Sequence, residues 1–534
     1  MNRSFFKKAA AVLLAGCMCV PLAACDRRGT GEGLSGTLNI MVQDAGYGVE
    51  WLDNLIEAFT DEYPEALVEY EAERLTDKIT AELSATPALQ QNDLYFINTD
   101  MGYTWATTKN MIPGVENMLV DMTDVYDYTP EGEDKTIREK MSPTVVDSLI
   151  IGDKFYYINF GVTSFGIMYN PAMLEGKTLP NTTLELEALA KQLDGELSGT
   201  AKPFVFSGSV DYWNQMFYTW WAQYQTVEGF DQFFSGKIDG EYSVEVFKQQ
   251  GRLEAYKVVE SLIGYGKYAA DDCNDISHMS SETRFFGGEA AMMVNGGWLE
   301  NEVDELYMGE IPFSPGLMKT PVISSIVDHC STIEGEGGGT ADGELSDLIA
   351  AIDAGSTALQ GEGTHGGYNV NQDDFDRVYN ARQLLYYAGE AHNAFIPTTG
   401  HNPELAKEFL KFMYSDKGVN AYLNACNGAV LPIEDFDYSN NTVVQEEYTN
   451  LQKQSIDQLY NSELFTIKTN TAVMNFGHSK VACKNANMEF LLSARNEADR
   501  MSAQEIFDMT YEYYNADDQL NWKNLLRAKG ILVS

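Results

Sequence analysis

Aromatic and polar side chains gather where predicted strands of this chain end. Trp298 follows a Gly-Gly pair at the junction of an apolar strand and a helix, and Asn295 stands just before that pair. Tyr212 and Trp213 follow another short apolar strand, over residues 204–206. Aromatic rings cover flat apolar faces and amides bond hydroxyl groups. This set suits a ligand with a C–H face and a polar rim.

The first half of the chain repeats this arrangement. Asp44 and Tyr47 come after the first predicted strand, and Asp100 follows the strand-like sequence LYFIN. Carboxylates accept hydrogen bonds from hydroxyl groups, and a pyranose combines such groups with an apolar face. The chain has 7 Trp, 30 Tyr and 26 Phe, which supplies enough rings for a sugar-binding cleft.

The order of predicted elements indicates an α/β fold. Residues 37–42 have a strand pattern, 49–62 have apolar residues at helical spacing, and 94–98 have a further strand pattern. Strands that alternate with helices require crossover connections and predict a largely parallel sheet. A chain of 534 residues is longer than a single hydrophobic core usually supports, so two lobes are expected.

The N-terminus has the pattern of a secretory signal. Arg3, Lys7 and Lys8 precede an apolar stretch over 9–24, which is short for a membrane span of about 20 residues. The stretch ends in Leu-Ala-Ala before Cys25, and this resembles the lipobox of bacterial lipoproteins. We therefore expect residues 1–24 to be a signal peptide, and 25–35 to be the lipidated cysteine with a flexible tether.

Charge and cysteine content restrict the possible partners. Lys+Arg 36 against Asp+Glu 79 gives a net charge of −43, which repels phosphate backbones, so nucleic acid is not an expected partner. The cysteines left after processing are far apart and form no CxxC pair, so no metal is expected. The sequence is compatible with either disulfides or buried free thiols for the four remaining cysteines, which are Cys273, Cys330, Cys426 and Cys483.

The motifs of the main hydrolase classes are missing from the sequence. Neither GxSxG nor HExxH occurs, and the six histidines are scattered. We assign no catalytic residue and expect no cofactor. The many carboxylates leave a secreted carbohydrate-active enzyme as an alternative, since glycosidases need only two of them.

Five sequence blocks in order resemble the family 1 extracellular solute-binding proteins. The most specific is FFGGEAAMMVNGGW at 285–298, which is similar to the family pattern F-x-x-G-x-A-A-M…G-x-W. The second is the helix sequence AKEFL, with the NGAVLP that follows it, within 396–432. The weaker blocks lie at 37–63, 120–124 and 151–171.

The resemblance implies an α/β, two-lobe periplasmic-binding-protein-like fold of type II, with lobes joined by hinge crossings. Lobe 1 would comprise 36–160 and 311–428, and lobe 2 would comprise 165–310 and 429–534. A helical elaboration is expected at 318–393. The ligand would lie between the lobes, which close over it by hinge motion.

The resemblance also implies roles for the aromatic residues. Trp298 would stack on a sugar, Tyr212 and Trp213 would supply the aromatic position of the second lobe, and Asp100 would accept a hydroxyl hydrogen bond. The expected ligand-binding set is Trp298, Tyr212, Trp213, Asp100, Asp44, Tyr47 and Asn295. Core packing of the tryptophans and a turn role for Asn295 are the alternatives.

The expected function is capture of a carbohydrate, with an oligosaccharide favoured, for an ABC importer. The expected partners are this ligand and the permease subunits in the membrane. The chain is expected to be a monomer on the extracytoplasmic face of the cell membrane, anchored by lipid on Cys25. Binding of a peptide, polyamine or other small polar solute by the same fold is a second possibility.

Overall fold

The computed structural model describes residues 34–74, 91–97, 118–197, 199, 201–208, 212–334, 340–356, 364–365, 368–387, 392–434, 436–468, 472–473 and 500–532. Two β-sheets flanked by helices make up most of these residues. The predicted α/β class is therefore confirmed.

The strands are short apart from one or two in each sheet. In chain order they are β1 (Gly36–Gln43), β2 (Ala66–Glu73), β3 (Leu94–Ile97), β4 (Ile150–Ile151), β5 (Lys154–Phe155), β6 (Ile158–Asn159), β7 (Val162–Thr163), β8 (Phe165–Tyr169), β9 (Lys202–Val205), β10 (Lys237–Ile238), β11 (Glu241–Tyr242), β12 (Ala290–Gly296), β13 (Gly316–Met318), β14 (Thr364–His365), β15 (Tyr368–Asn369), β16 (Leu384–Tyr386), β17 (Asn393–Phe395), β18 (Ala429–Val430) and β19 (Glu463–Phe465).

The α-helices pack on both sheets. They are α1 (Glu50–Glu62), α2 (Thr123–Tyr126), α3 (Ile137–Lys140), α4 (Pro143–Leu149), α5 (Thr183–Glu196), α6 (Trp213–Ser235), α7 (Gln250–Ile263), α8 (His278–Phe286), α9 (Leu299–Tyr307), α10 (Ala341–Asp353), α11 (Gln372–Gln383), α12 (Pro403–Met413), α13 (Asp416–Leu423), α14 (Thr442–Glu446), α15 (Asn450–Tyr460) and α16 (Ala503–Ala528).

The first sheet has the strand order β2-β1-β3-β17-β6. β1 pairs in parallel with both β2 and β3, and its consecutive residues Ile40, Met41 and Val42, which face opposite sides of the sheet, are fully buried. A strand buried on both faces needs helices on either side, and α1 supplies one of them. α1 ends before Pro64, whose ring disfavours helical backbone at the preceding residue.

The second sheet has the strand order β13-β8-β12-β9. β9 is parallel to β12, while β8 and β13 run antiparallel to their neighbours. All seven residues of β12 are buried, which explains the apolar run AAMMV in the sequence. α5 leads toward this sheet from a capping box in which Thr182 and Glu185 satisfy each other's backbone N–H groups.

The chain passes between the sheets at β7 and β18. β6 belongs to the first sheet and β8 to the second, and β7 between them pairs with β18. Ser164 Oγ lies 2.7 Å from Ser455 Oγ, and Ser455 donates to the carbonyl of Gly428 at 2.8 Å. Two antiparallel crossing segments backed by α15 therefore join the lobes.

The segment after β13 packs on the second sheet and its helices. β13 pairs with β8, and Trp220 Nε1 of α6 donates to Pro321 O at 3.1 Å. Gln223 of α6 bonds Ile323 N at 2.9 Å and Ala381 O at 3.1 Å. The sequence predicts 311–428 in lobe 1, because local patterns do not show which sheet a short strand joins. We propose instead that the described residues from β13 to Tyr387 belong to the second lobe, and that the first lobe resumes at β17.

The C-terminal helix α16 also packs on the second lobe. Its Tyr514 stacks on Phe247 with ring centroids 4.5 Å apart, and Phe507 covers the guanidinium of the fully buried Arg252 at 5.6 Å. The backbone departs from helical geometry at 516–519, where three residues have positive φ. None of the described helices is both long and apolar enough to cross a membrane.

Candidate functional site

The two lobes touch where β1 and β12 end. β1 leads into the loop 44–49, and β12 leads through Gly297 to Trp298 and α9. Asn301 Nδ2 on α9 donates to Gly46 O at 2.8 Å. A Cβ at Gly46 would lie 2.9 Å from Trp298 Cγ, so the indole of one lobe rests directly on the backbone of the other.

Trp298 lies at the centre of an aromatic cluster that consists of Tyr47, Phe165, Tyr212 and Trp298. The centroid distances from the indole are 5.8 Å to Tyr47, 5.0 Å to Phe165 and 6.1 Å to Tyr212. The last two contacts are edge-to-face, a geometry that adds about 0.5–1.5 kcal/mol per pair. Trp298 keeps 8% of its surface exposed. Both lobes therefore contribute rings to the aromatic cluster.

Tyr47 extends the aromatic cluster toward His392. The two rings stack with centroids 4.3 Å apart, and Tyr47 Oη lies 3.4 Å from His392 Nδ1. Asn427 Nδ2 donates to Tyr47 O at 2.9 Å. Burial lowers the pKa of His392 to about 3 and raises that of Tyr47 well above its usual value, so both rings are neutral near pH 7.

Asn295 lies behind the aromatic cluster and is fully buried. Its Nδ2 donates to Glu282 Oε1 at 3.1 Å, and its Oδ1 accepts from Gly296 N at 2.7 Å. The amide is thus engaged within the protein. Asn295 lies within β12 and bonds other protein groups at the strand end, whereas the sequence left a ligand contact and a turn role as its alternatives.

Tyr212 and Trp213 are adjacent in sequence but differ in position. Tyr212 is partly exposed and belongs to the aromatic cluster, with its ring 5.6 Å from Phe165. Trp213 is 3% exposed and packs on Phe204 and Trp220 at 5.4 Å and 6.3 Å. Trp213 therefore has the packing role that the sequence left open.

Asp44 lies at the end of β1 beside the loop that touches Trp298. Its backbone N–H bonds Glu73 O at 3.2 Å, and its carboxylate receives a hydrogen bond from Arg74 Nε at 3.0 Å. The Asp44 side chain is 27% exposed. The carboxylate is therefore accessible, and its role as a hydroxyl acceptor stays a prediction.

Several polar residues that touch the site are not among those predicted from the sequence. Glu282 and Glu302 form a buried pair beside Tyr212 and Trp298, and Asn301 bonds the opposite lobe. His392 was also missed. Only Asn301 and Glu302 had a sequence signal, since they begin the helix after the Gly-Gly-Trp block, whereas Glu282 and His392 meet the cluster through tertiary packing.

Other predicted residues lie outside the described part of the chain, namely Cys25, Asp100 and Cys483. Within that part, Cys273, Cys330 and Cys426 are free thiols. No group of three or more His, Cys, Asp or Glu residues among the described ones could hold a metal ion.

Two described cavities lie away from the aromatic cluster. One of ≈ 810 Å³ is lined by residues of 436–461, including Tyr438 and Tyr460. Another of ≈ 650 Å³ adjoins the ion pair between Asp231 and Lys468. The rings of the aromatic cluster, in contrast, cover one another. A ligand that binds between them requires the lobes to separate.

Comparison with known proteins shows which group this chain resembles. Residues 54–315 match the sequence model of a family described as bacterial extracellular solute-binding protein. No curated protein matches the chain.

Two solved structures have a similar fold. One is SBP RafE in complex with raffinose, with a TM-score of 0.51 and 13% identity over 89% of this chain and 99% of that chain. The other is ABC substrate-binding protein Lmo0181 from Listeria monocytogenes in complex with cycloalternan, with a TM-score of 0.55 and 14% identity over 93% of this chain and 100% of that chain. These likenesses confirm the predicted two-lobe α/β fold.

Proposed function

Because residues 54–315 match the sequence model of the bacterial extracellular solute-binding proteins, we propose that this chain captures a carbohydrate between its two lobes and delivers it to an ABC importer. An oligosaccharide is the favoured ligand. The chain acts as a binding protein in this proposal, and the transport energy comes from the importer.

The aromatic cluster carries the proposal. Tyr47 of one lobe and Phe165, Tyr212 and Trp298 of the other meet where the sheet ends face each other. When the lobes part, these rings expose flat apolar surfaces, while Asp44 and Asn301 provide polar groups at the edge. Rings for the C–H faces and polar groups for the hydroxyls are what a pyranose requires.

A polyamine is the alternative that one observation favours. The net charge of −43 attracts cations, and carboxylates lie close to the aromatic cluster. Aromatic rings bind cations as well as sugars, so the cluster alone does not separate the two ligand classes. The choice therefore needs a direct comparison of ligands.

Calorimetry and thermal unfolding of the mature chain test the ligand class. The panel contains raffinose, cycloalternan, maltotriose and spermidine. We expect binding and a raised melting temperature with at least one oligosaccharide. Stabilisation by spermidine alone would overturn the carbohydrate proposal, and hydrolysis of an oligosaccharide by the pure protein would support an enzyme.

A pair of tryptophan variants separates ligand contact from packing. Trp298→Ala should weaken oligosaccharide binding by about 1–3 kcal/mol, because a platform in the closed cleft is lost. Trp213→Phe, the matched core variant, should lower the melting temperature and leave the affinity unchanged. Equal affinities for Trp298→Ala and the wild type would remove Trp298 from the site.

Lipid anchoring is a further part of the proposed function. Cys25 would be acylated after removal of residues 1–24, and several acyl chains hold a protein on a membrane durably. The wild-type chain expressed in a bacterial host should stay with the membrane fraction. Cys25→Ser should be released from it, and a variant that stays membrane-bound would contradict the anchor.

A further inference from the structure

A buried pair of carboxyl groups lies behind the aromatic cluster. Glu282 on α8 is fully buried, and Glu302 on α9 faces it. Glu282 Oε2 and Glu302 Oε2 are both buried, and neither receives a well-formed hydrogen bond from the described part of the chain. Two ionised carboxylates in this position would repel each other.

The pair is connected to Trp298 by two routes. Glu282 Oε1 accepts from Asn295 Nδ2 at 3.1 Å, and Asn295 Oδ1 accepts from Gly296 N at 2.7 Å. The indole lies against Gly296, where a Cβ would be 2.6 Å from Trp298 Cζ3. The second route is direct, because the Trp298 side chain lies close enough to the carboxyl of Glu302 to lower its pKa.

The charged surroundings favour a proton on the pair. Burial and the neighbouring Glu302 raise the pKa of Glu282 to about 8, and burial raises the pKa of Glu302 against the opposing effects of Glu282, His278 and Trp298. The other titratable group that faces the pair is Tyr212, whose own pKa is raised by burial and by both glutamates. Among the described residues, no Lys or Arg contributes to the pKa shift of either carboxyl group.

We propose that Glu282 and Glu302 share one proton and act as positioning residues, which hold the end of β12 at Asn295 and Gly296 and thereby fix the Trp298 indole. This inference rests on the proposed function, in which Trp298 contacts the ligand. Loss of the shared proton sets two carboxylates against each other between α8 and α9. The helices then move apart, and Trp298 loses its fixed orientation.

The positioning role has a readout in the unliganded protein. We expect the tryptophan fluorescence that depends on Trp298, taken as wild type minus Trp298→Phe, to change cooperatively with a midpoint near pH 8. Glu282→Gln should remove this transition, because the amide still accepts from Asn295 and now donates to Glu302 without titrating. Glu282→Ala should show, at every pH, the fluorescence of the state in which the Trp298 indole has lost its fixed orientation.

A neighbouring glutamate provides the matched control. Glu300 is also on α9 and buried, but its carboxylate accepts from the hydroxyl of Thr449 and not from the site. Glu300→Gln should keep the transition near pH 8. A wild type without the transition, or a Glu282→Gln variant that retains it, would overturn the proposal, provided that the variant melts as the wild type does at pH 6.

Sugar binding gives a second readout that separates this proposal from the proposed function. If raffinose binds, its affinity for the wild type should fall about tenfold per pH unit above pH 8, since one proton is required. The affinity of Glu282→Gln should not depend on pH in that range. Binding that is independent of pH in the wild type would contradict the positioning role alone, and failure of every sugar to bind would contradict the proposed function alone.

Discussion

Single side chains of the same type have different roles in this chain, and burial among specific neighbours decides which. Trp213 and Trp298 both follow strand ends, but one packs within a lobe and the other on the backbone of the opposite lobe. His392 shows the same effect, since burial beside Tyr47 lowers the pKa of its imidazole and keeps the ring neutral. Neighbours that are distant in sequence therefore set the chemistry of these groups.

His392 should make the stability of the protein sensitive to acid. Its pKa is about 3 in the folded protein and near 6.5 in the unfolded chain, so unfolding takes up a proton between these values. The stabilising contribution is complete above pH 6.5 and is lost as the pH falls toward 3. Chemical denaturation at several pH values should show a shallower loss for His392→Asn, by up to about 1.4 kcal/mol per pH unit.

Asparagine suits the unusual backbone conformation at position 392. His392 has φ of 62°, a conformation that asparagine tolerates better than most residues. The exposed His401 provides the control, and His401→Asn should retain the wild-type slope. An identical slope for His392→Asn and the wild type would show that the His392 ring is accessible to protons in the folded state.

Among the secondary-structure elements, the two helices α10 and α11 of the segment after β13 are held together by one ion pair with several bonds. Arg382 on α11 donates from Nε to both oxygens of Asp353 on α10 at 3.1 Å, and from Nη1 to Thr320 O at 2.7 Å. Burial alone would raise the pKa of Asp353, but bonds and charge from Arg382 and Lys319 hold it below its usual value. One guanidinium therefore orients two helices and the strand end.

Removal of this guanidinium should loosen the whole segment. Arg382→Met should lower the free energy of unfolding by about 1–3 kcal/mol, because the buried Thr320 carbonyl loses its charged donor and Asp353 keeps only Lys319 as a partner. Lys319 bonds the same Asp353 at 3.0 Å from a more exposed position, so Lys319→Met should cost less than about 1 kcal/mol. Urea denaturation measures both values, and equal losses would contradict the dominant role of Arg382.

At the scale of the whole molecule, the two lobes are in contact through a small set of close approaches. The most restrictive is between Gly46 and Trp298, and Asn301 adds a hydrogen bond across the same contact. We expect the β7–β18 crossing, which joins the lobes, to supply the axis for their separation. Opening and closing are therefore expected to depend on the volume at Gly46.

Gly46→Ala should shift the lobes toward the open state. The added methyl group would lie within 3 Å of the indole, and overpacking of this kind costs about 1–3 kcal/mol. Oligosaccharide affinity should fall by the same free energy, and the radius of gyration from X-ray scattering should rise. Gly195→Ala, which meets open space in α5, should leave both unchanged. A Gly46→Ala variant as compact as the wild type would contradict the close contact.

The sequence predicts the α/β class, the two-lobe fold and the likeness to extracellular solute-binding proteins, because strand and helix periodicities and the block ending in Gly-Gly-Trp are local patterns. It also indicated Trp298 and Tyr47, which follow the strands that meet. The three-dimensional contacts are needed to see that Trp213 packs inside a lobe, that β13 joins the second sheet, and that Glu282 and His392 reach the site. These outcomes depend on contacts between residues far apart in the chain, and such contacts leave no periodic signal in the sequence.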